Sequence, residues 1–309
     1  MIVSKFGGTS VGSAENIKKV IHIVQQKVQQ TTVVVSALGG VTNLLIKASE
    51  LALENEAGYE QIVDQIEQRH FETIEGLLDH DNQTVSKAEV AKKLNKLKEI
   101  LHGVALLNDL SDKTSARIVG LGEMLSSFII HQAMLQENLK AQLIDSRELI
   151  TTNDDFLNAQ VNFTTTTGNI KKQLSNSEVH VFILPGFIAS NDKGETTTLG
   201  RGGSDYTAAI VANALSASFL EIWTDVSGMY TANPKLVRQA YPIEEISYQE
   251  AMELSHFGAK VLYPPTIQPA LDRKIPILIK NTLSAEDKGT LITEKSLVSG
   301  SIVKGISHI

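Results

Sequence analysis

Three charged residues of this 309-residue chain stand among glycines. Lys5 precedes a pair in Lys5-Phe6-Gly7-Gly8-Thr9-Ser10, Glu123 follows Gly120 and Gly122, and Arg201 lies between Gly200 and Gly202-Gly203. Glycine tolerates backbone angles closed to other residues and lets a backbone approach a ligand. A lysine at a strand end can meet a phosphate as a mobile point charge. The glycine turn behind it, followed by a helix start, aims bare N–H groups and a helix dipole at the same spot. The Gly-Gly pair serves equally as a plain tight connection. It is not a Walker A loop, because Ser13 follows Gly7-x-x-x-x-Gly12 where that motif needs lysine. Arg201, ahead of a helix opened by Ser204 and Asp205, suits a carboxylate or phosphate, although Ser and Asp there are also good caps. Glu123 has Val119, Ile130 and Met134 as helical-wheel neighbours. An acid so placed needs a ligand or a structural cation, since an unpaired buried charge is costly.

The rest of the composition narrows the field. A net charge of -7 argues against nucleic acid and against an anionic membrane as partners. Any phosphate must then be held by a few placed cations. There is no cysteine, so no disulfide, thiolate nucleophile or cysteine-based zinc site. The histidines show no metal-ligand spacing. No membrane-spanning run and no signal peptide are read, which leads to the expectation of a cytoplasmic protein.

The elements that must position these residues alternate between strands and helices. Met1-Ile2-Val3 opens a strand, and Ile17, Val20, Ile21, Val24 and Val28 form one face of a helix capped by Ser13. Thr32–Ser36 is a β-branched strand ending in a second glycine turn, Ala37–Thr42. Ser36 and Thr42 there can touch a polar ligand or act only as turn and cap residues. Residues 43–111 read as a helical layer, broken at Asp79–Asn82, and 115–138 as one helix. Strands follow at Ala141–Asp145, Val179–Leu184, Phe219–Trp223, Ile275–Asn281 and Gly289–Ile292, the last closing the sheet. Thr164–Thr167 reads as a polar hairpin or loop. After Trp223, Asp225 and Tyr230 can hold a ribose and a base, or form a polar turn.

Together, Lys5–Ser10, 33–42, 115–127, 197–209, 224–235 and 257–264 resemble aspartate kinase, over nearly the whole chain and in order. KFGGTS combined with GRGGSD after a threonine run is the specific part. The resemblance implies an α/β fold, an open mainly parallel sheet between helical layers in two lobes. Residues 1–292 would be the catalytic domain, with an aspartate-binding lobe to about 190 and a nucleotide-binding lobe from about 191. It implies ATP and Mg²⁺, the metal held by ATP phosphates, and transfer of the γ-phosphoryl group to the side chain of L-aspartate. Lys5, Gly7 and Gly8 would serve the phosphates, with Lys5 and Asp205 catalytic. Ser36, Thr42, Glu123, Arg201 and Ser204 would bind aspartate, Arg201 at its α-carboxylate and Glu123 at its α-ammonium. Thr224, Asp225, Tyr230, Lys235 and Lys260 would bind the nucleotide. Lys235 and Asn233 depart from the arginine and aspartate common in relatives, which removes a planar fork. The rivals are a kinase of glutamate, N-acetylglutamate or a nucleoside monophosphate, and a silent sensor. Glu123 opposite Arg201 favours a free amino acid, and intact Lys5 speaks against a silent protein.

Residues 293–309 are expected to begin an ACT regulatory region, as in a longer aspartate kinase or one fused to homoserine dehydrogenase. The full-length form would be a homo-oligomer and this chain a monomer or weak dimer. Allosteric feedback requires a second ligand site. Lysine and threonine are therefore expected not to inhibit this chain, and titrating each into a kinase assay checks it. Saturable inhibition not competitive with aspartate would contradict the expectation.

Overall fold

The computed structural model describes residues 1–55, 58–234, 236–256, 262–295 and 305. The chain opens with β1 (Ile2–Phe6), α1 (Ala14–Gln25) and β2 (Thr31–Val35). A helical stretch follows, α2 (Val41–Leu53), α3 (Tyr59–Leu77), α4 (His80–Leu107), α5 (Asp112–Val119) and α6 (Leu121–Gln136). Next come β3 (Ala141–Leu143), α7 (Ser146–Leu149), β4 (Thr151–Thr152), α8 (Phe163–Gln173), β5 (Val181–Pro185), β6 (Ile188–Asn191) and β7 (Thr196–Thr198). The last third holds α9 (Gly203–Leu215), β8 (Phe219–Thr224), β9 (Glu245–Ser247), α10 (Tyr248–His256), α11 (Pro264–Asp272), β10 (Ile277–Asn281) and β11 (Thr290–Thr293).

Among the described residues the strands form an eight-stranded sheet, β3-β5-β2-β1-β8-β10-β11-β9, and a small sheet, β4-β6-β7. All neighbours in the large sheet are parallel except β10 and β11. Parallel strands are covered on both faces and so read as unbroken apolar runs, and β2 and β5 are buried throughout. Phe6, Val33, Val35, Val181, Ile183 and Trp223 face a core shared with α1 to α4 and α6. Val3, Val34, Phe182, Leu184, Leu220 and Ile222 face a second core with α8, α9 and α11. The chain leaves β1 toward β2 on one side and returns to β8 on the other. That reversal opens a crevice at the carboxyl ends of the central strands, where ligands of such sheets bind.

Several expectations are corrected. The single helix over 115–138 is two, because Gly120 separates α5 from α6. A Cβ at Gly120 would lie 2.7 Å from Ile188 Cγ2, so the close packing of the junction excludes a side chain. The stretch Asp112–Gln136 is also long and apolar enough to cross a membrane by composition, contrary to the reading above, but it is mostly buried inside the protein. Thr164–Thr167 lies inside α8, where Asn162 caps the helix and Thr166 Oγ1 accepts the Thr151 N–H at 3.1 Å. Cap and tertiary contact outweigh the weak helix preference of threonine. Helix α1 ends at Gln25, leaving Val28 exposed. Strand β11 does not close the sheet; β9, too short to leave an apolar run, lies outside it. The expected ACT strand at 302–306 falls outside the described residues apart from Gly305.

In α3 the His70 ring is fully buried, with Nδ1 2.6 Å from the Ile66 carbonyl and Nε2 without a partner among the described residues. Burial lowers its pKa to about 4, with a smaller push from Arg69, against the opposing hydrogen bond to Ile66. Below about pH 6.5 the unfolded chain takes up a proton that the folded one refuses, so this stability declines until the folded pKa is reached. The full effect is about 3 kcal/mol. Thermal melts of wild type and His70→Gln between pH 7 and 4 are expected to diverge, with the variant losing less stability in acid.

Candidate active site

The carboxyl ends of β1, β2 and β5 and the start of α9 enclose a cleft of about 350 Å³. Its walls include Lys5, Gly8, Ser36, Gly39, Thr42, Glu123, Phe187, Ser204 and Asp205. Two glycine turns touch here backbone to backbone. A Cβ at Gly8 would lie 3.2 Å from the Ala37 carbonyl oxygen, and one at Gly39 3.1 Å from that of Gly8.

Lys5 sits near the end of β1 and reaches Asp205, in the first turn of α9, with Nζ 2.8 Å from Oδ1. Among the described residues Asp205 Oδ1 has no hydrogen bond, so the contact is ionic. Glu123 occupies the first turn of α6 and is 4% exposed. Among the described residues its Oε2 has no hydrogen-bond partner and its carboxyl has no ion pair within salt-bridge distance. Burial pushes its pKa up to about 8, although hydrogen bonds from the Ala37 backbone and its own, and the charge of Lys5, pull the other way. The cleft thus pairs its cation with an acid and raises the pKa of its buried Glu123 carboxyl.

Ser36, Thr42 and Ser204 line the same cleft, as does Gly8. Gly7 does not: its N–H donates to the Trp223 carbonyl at 3.1 Å. Its lack of a side chain still matters, since Lys5 Nζ passes 3.5 Å from where a Cβ would stand. Arg201 is exposed and outside the cleft. Its guanidinium carbon lies 5.2 Å from the centre of the Tyr263 ring, in a neighbouring hollow also lined by Tyr206 and Phe163. The turn Gly200–Gly203 is the wall between the two hollows. Thr224 ends β8, its hydroxyl 3.2 Å from Asp225 Oδ1, and half-buried Tyr230 bridges to Pro242. These three lie one strand over from Lys5 rather than in the cleft lining. Lys235 and Lys260 fall outside the described residues.

Phe187 was not expected to line the cleft. It follows the Pro185-Gly186 strand end, holds a φ of 68°, and donates its N–H to Thr207 Oγ1 at 3.0 Å. A non-glycine residue in that region is uncommon, and only the glycine before it hinted at a special turn. Asn43, just past the second glycine turn, also joins the lining unforeseen. Among the described residues no group of three or more His, Asp or Glu could hold a metal ion.

The chain resembles known proteins over most of its length. A model of the amino acid kinase family matches residues 1–281. The bifunctional aspartokinase/homoserine dehydrogenase of Buchnera aphidicola is 38% identical over 100% of this chain, which spans 38% of that protein. The lysine-sensitive aspartokinase 3 of Escherichia coli is 37% identical over 96% of this chain, which spans 65% of it. These relatives are therefore considerably longer. The crystal structure of E. coli aspartokinase III in complex with aspartate and ADP matches with a TM-score of 0.87 at 37% identity, over 96% of this chain and 65% of that one. A UMP kinase from Bacillus anthracis, at 12% identity and a TM-score of 0.52, covers 97% of this chain and 98% of its own and shares the fold alone. The parallel sheet, the crevice at its strand ends and the family match over residues 1–281 lead to one conclusion: the chain belongs to the amino acid kinase family.

Proposed function

We propose that this chain carries the catalytic unit of an aspartate kinase, transferring the γ-phosphoryl group of ATP to the side-chain carboxylate of L-aspartate. The observation that carries the reading is Glu123, a buried carboxyl with one oxygen unpartnered among the described residues, in the same cleft as the Lys5–Asp205 pair. An ammonium group satisfies such an oxygen, and a phosphate suits the lysine and the N-terminus of α9. The names of the similar aspartokinases support the same chemistry.

The aspartate side-chain carboxylate is ionised at neutral pH, so it attacks the γ-phosphorus without a general base. The bond from that phosphorus to the bridging oxygen breaks, and its electron pair leaves with ADP. No protein nucleophile takes part, and catalysis consists of positioning and charge stabilisation. Lys5, oriented by its pairing with Asp205, meets charge developing on the transferred group. Glu123 holds the α-ammonium as the carboxylate, its proton released to solvent when aspartate binds. Ser36, Thr42 and Ser204 offer hydroxyls to the substrate. Arg201 reaches the α-carboxylate only by leaving the Tyr263 ring and crossing the Gly200–Gly203 wall. Gly7 and Gly8 leave room for the phosphates, with Thr224, Asp225 and Tyr230 on the nucleotide side and Lys235 and Lys260 assigned there by the resemblance. Magnesium arrives as part of the substrate, MgATP, held by phosphate oxygens and water.

Measuring ATP turnover with aspartate, with glutamate and without an acceptor tests the reading, and equal rates in all three would refute it. Lys5→Met is expected to fold normally and lose on the order of 10²–10³ in turnover; retention of more than half would remove its role. For wild type, the KM for aspartate should fall as pH rises toward about 8, because the ionised form of Glu123 binds the ammonium. Glu123→Gln should raise that KM, abolish its pH dependence and leave the KM for ATP nearly unchanged. The folded pKa of Glu123 lies above its unfolded value, so its contribution to stability is lost as pH rises between the two. Glu123→Gln should therefore melt above wild type over this range, the gap widening by about 1.4 kcal/mol per pH unit.

A further inference from the structure

Two adjacent residues at the end of β10 grip the two loops on either side of the nucleotide crevice. The Thr282 N–H donates to the Thr224 carbonyl at 2.9 Å, and its hydroxyl lies 2.7 Å from Ser10 Oγ. Ser10 Oγ spends its proton on the Trp223 carbonyl at 3.2 Å, so Thr282 must be the donor to Ser10. That same carbonyl accepts the Gly7 N–H at 3.1 Å. A chain of hydrogen bonds thus runs from Thr282 through Ser10 to the strand end that holds the Gly7-Gly8 turn. Asn281 faces the other way, as successive strand residues do. Its Nδ2 donates to Ser227 Oγ at 3.0 Å, and Ser227 donates to Asp287. Its Oδ1 accepts the Leu283 N–H at 2.9 Å, which fixes the amide orientation. Ser10 and Thr282 are almost wholly buried and Asn281 nearly so.

A well-packed valine could replace Thr282 if stability were all that mattered. Buried hydroxyls satisfied in a directed chain instead hold one loop at a set height against another. We infer that Asn281 and Thr282 are positioning residues: Thr282, through Ser10, sets the Gly7-Gly8 turn and with it Lys5, whereas Asn281, through Ser227, sets the loop bearing Asp225. The inference rests on the reading of these two loops as the nucleotide site.

Steady-state kinetics with ATP and aspartate, calorimetric titration of ADP and thermal melts test it. Thr282→Val is expected to lower kcat about tenfold with the KM for ATP changed less than about twofold, since small misplacement of a reacting group is costly. Thr282→Ser should restore most of the loss, and adding Ser10→Ala to Thr282→Val should cost less than about a further twofold, because the chain is already cut. Asn281→Ala and Ser227→Ala should each weaken ADP and raise the KM for ATP about fivefold while kcat stays within about twofold, the scale of one hydrogen bond. Lowered melting temperatures with kcat and KM unchanged would show packing residues only and overturn the inference, as would failure of Thr282→Ser to restore kcat. If wild type binds no ADP, the nucleotide reading falls and this inference with it. If wild type binds ADP and the variants bind and turn over like it, the positioning role alone falls.

Discussion

The cleft depends on the backbone-to-backbone contact of Gly8 with the Ala37–Gly39 turn. Neighbouring strands of a sheet stand about 4.8 Å apart, so the loops that leave β1 and β2 start close together. They stay close only if nothing projects between them. A methyl group at either glycine would push against a carbonyl oxygen of the other turn, and backbone of this kind cannot swing aside as a flexible side chain does. Lys5, Ser36 and the Ala37 N–H that reaches Glu123 are all placed by this contact. The parallel order of the sheet supplies the turns, and the glycines let them meet.

Two buried glutamates show how the same fold treats an acid in opposite ways. Glu221, on β8, is fully served: Ser4 Oγ donates at 2.8 Å, Trp223 Nε1 at 2.9 Å and Lys27 Nζ at 2.5 Å. It ties β1 to β8, with the Trp223 ring stacked on Phe6. Glu123 is as deeply buried but keeps one oxygen without a partner among the described residues. The first is a structural acid, with donors from β1, from β8 and from Lys27 beyond α1. The second is left with an unmet demand for a donor or a positive charge, which is costly for a buried acid. Its raised pKa is the electrostatic record of that cost.

The Lys5–Asp205 pair completes this balance. A lysine left alone in a half-closed cleft would draw any anion; paired at 2.8 Å with Asp205, its charge is balanced. Arg201 shows a comparable arrangement on the far side of the Gly200–Gly203 wall, its charge resting on an aromatic face. In a protein with a net charge of -7, the cation of the cleft and the one beyond its wall each have a partner, Asp205 for Lys5 and the Tyr263 ring for Arg201.

Much of this was legible in the residue order. Buried parallel strands announce themselves as β-branched runs, and glycine turns at their ends mark the ligand crevice, so β1, β2, β5 and the KFGGTS and GRGGSD segments could be placed without coordinates. The suspicion attached to Glu123 also came from local pattern, an acid among apolar wheel neighbours. Local pattern could not say whether a distant cation satisfies it; that depends on Ala37 and Lys5, brought near only by the sheet. Nor could it reveal β9, whose three residues carry no periodicity, or α8, whose threonines become helical through an asparagine cap and a bond to β4. The side on which Arg201 lies, and the partnership of Ser10 with Thr282 across 272 positions, were likewise decided by tertiary structure. Sequence determines which residues prefer strand, turn or helix because those preferences are short-ranged. Which buried polar group finds a partner is a long-range question, answered only when the chain has closed on itself.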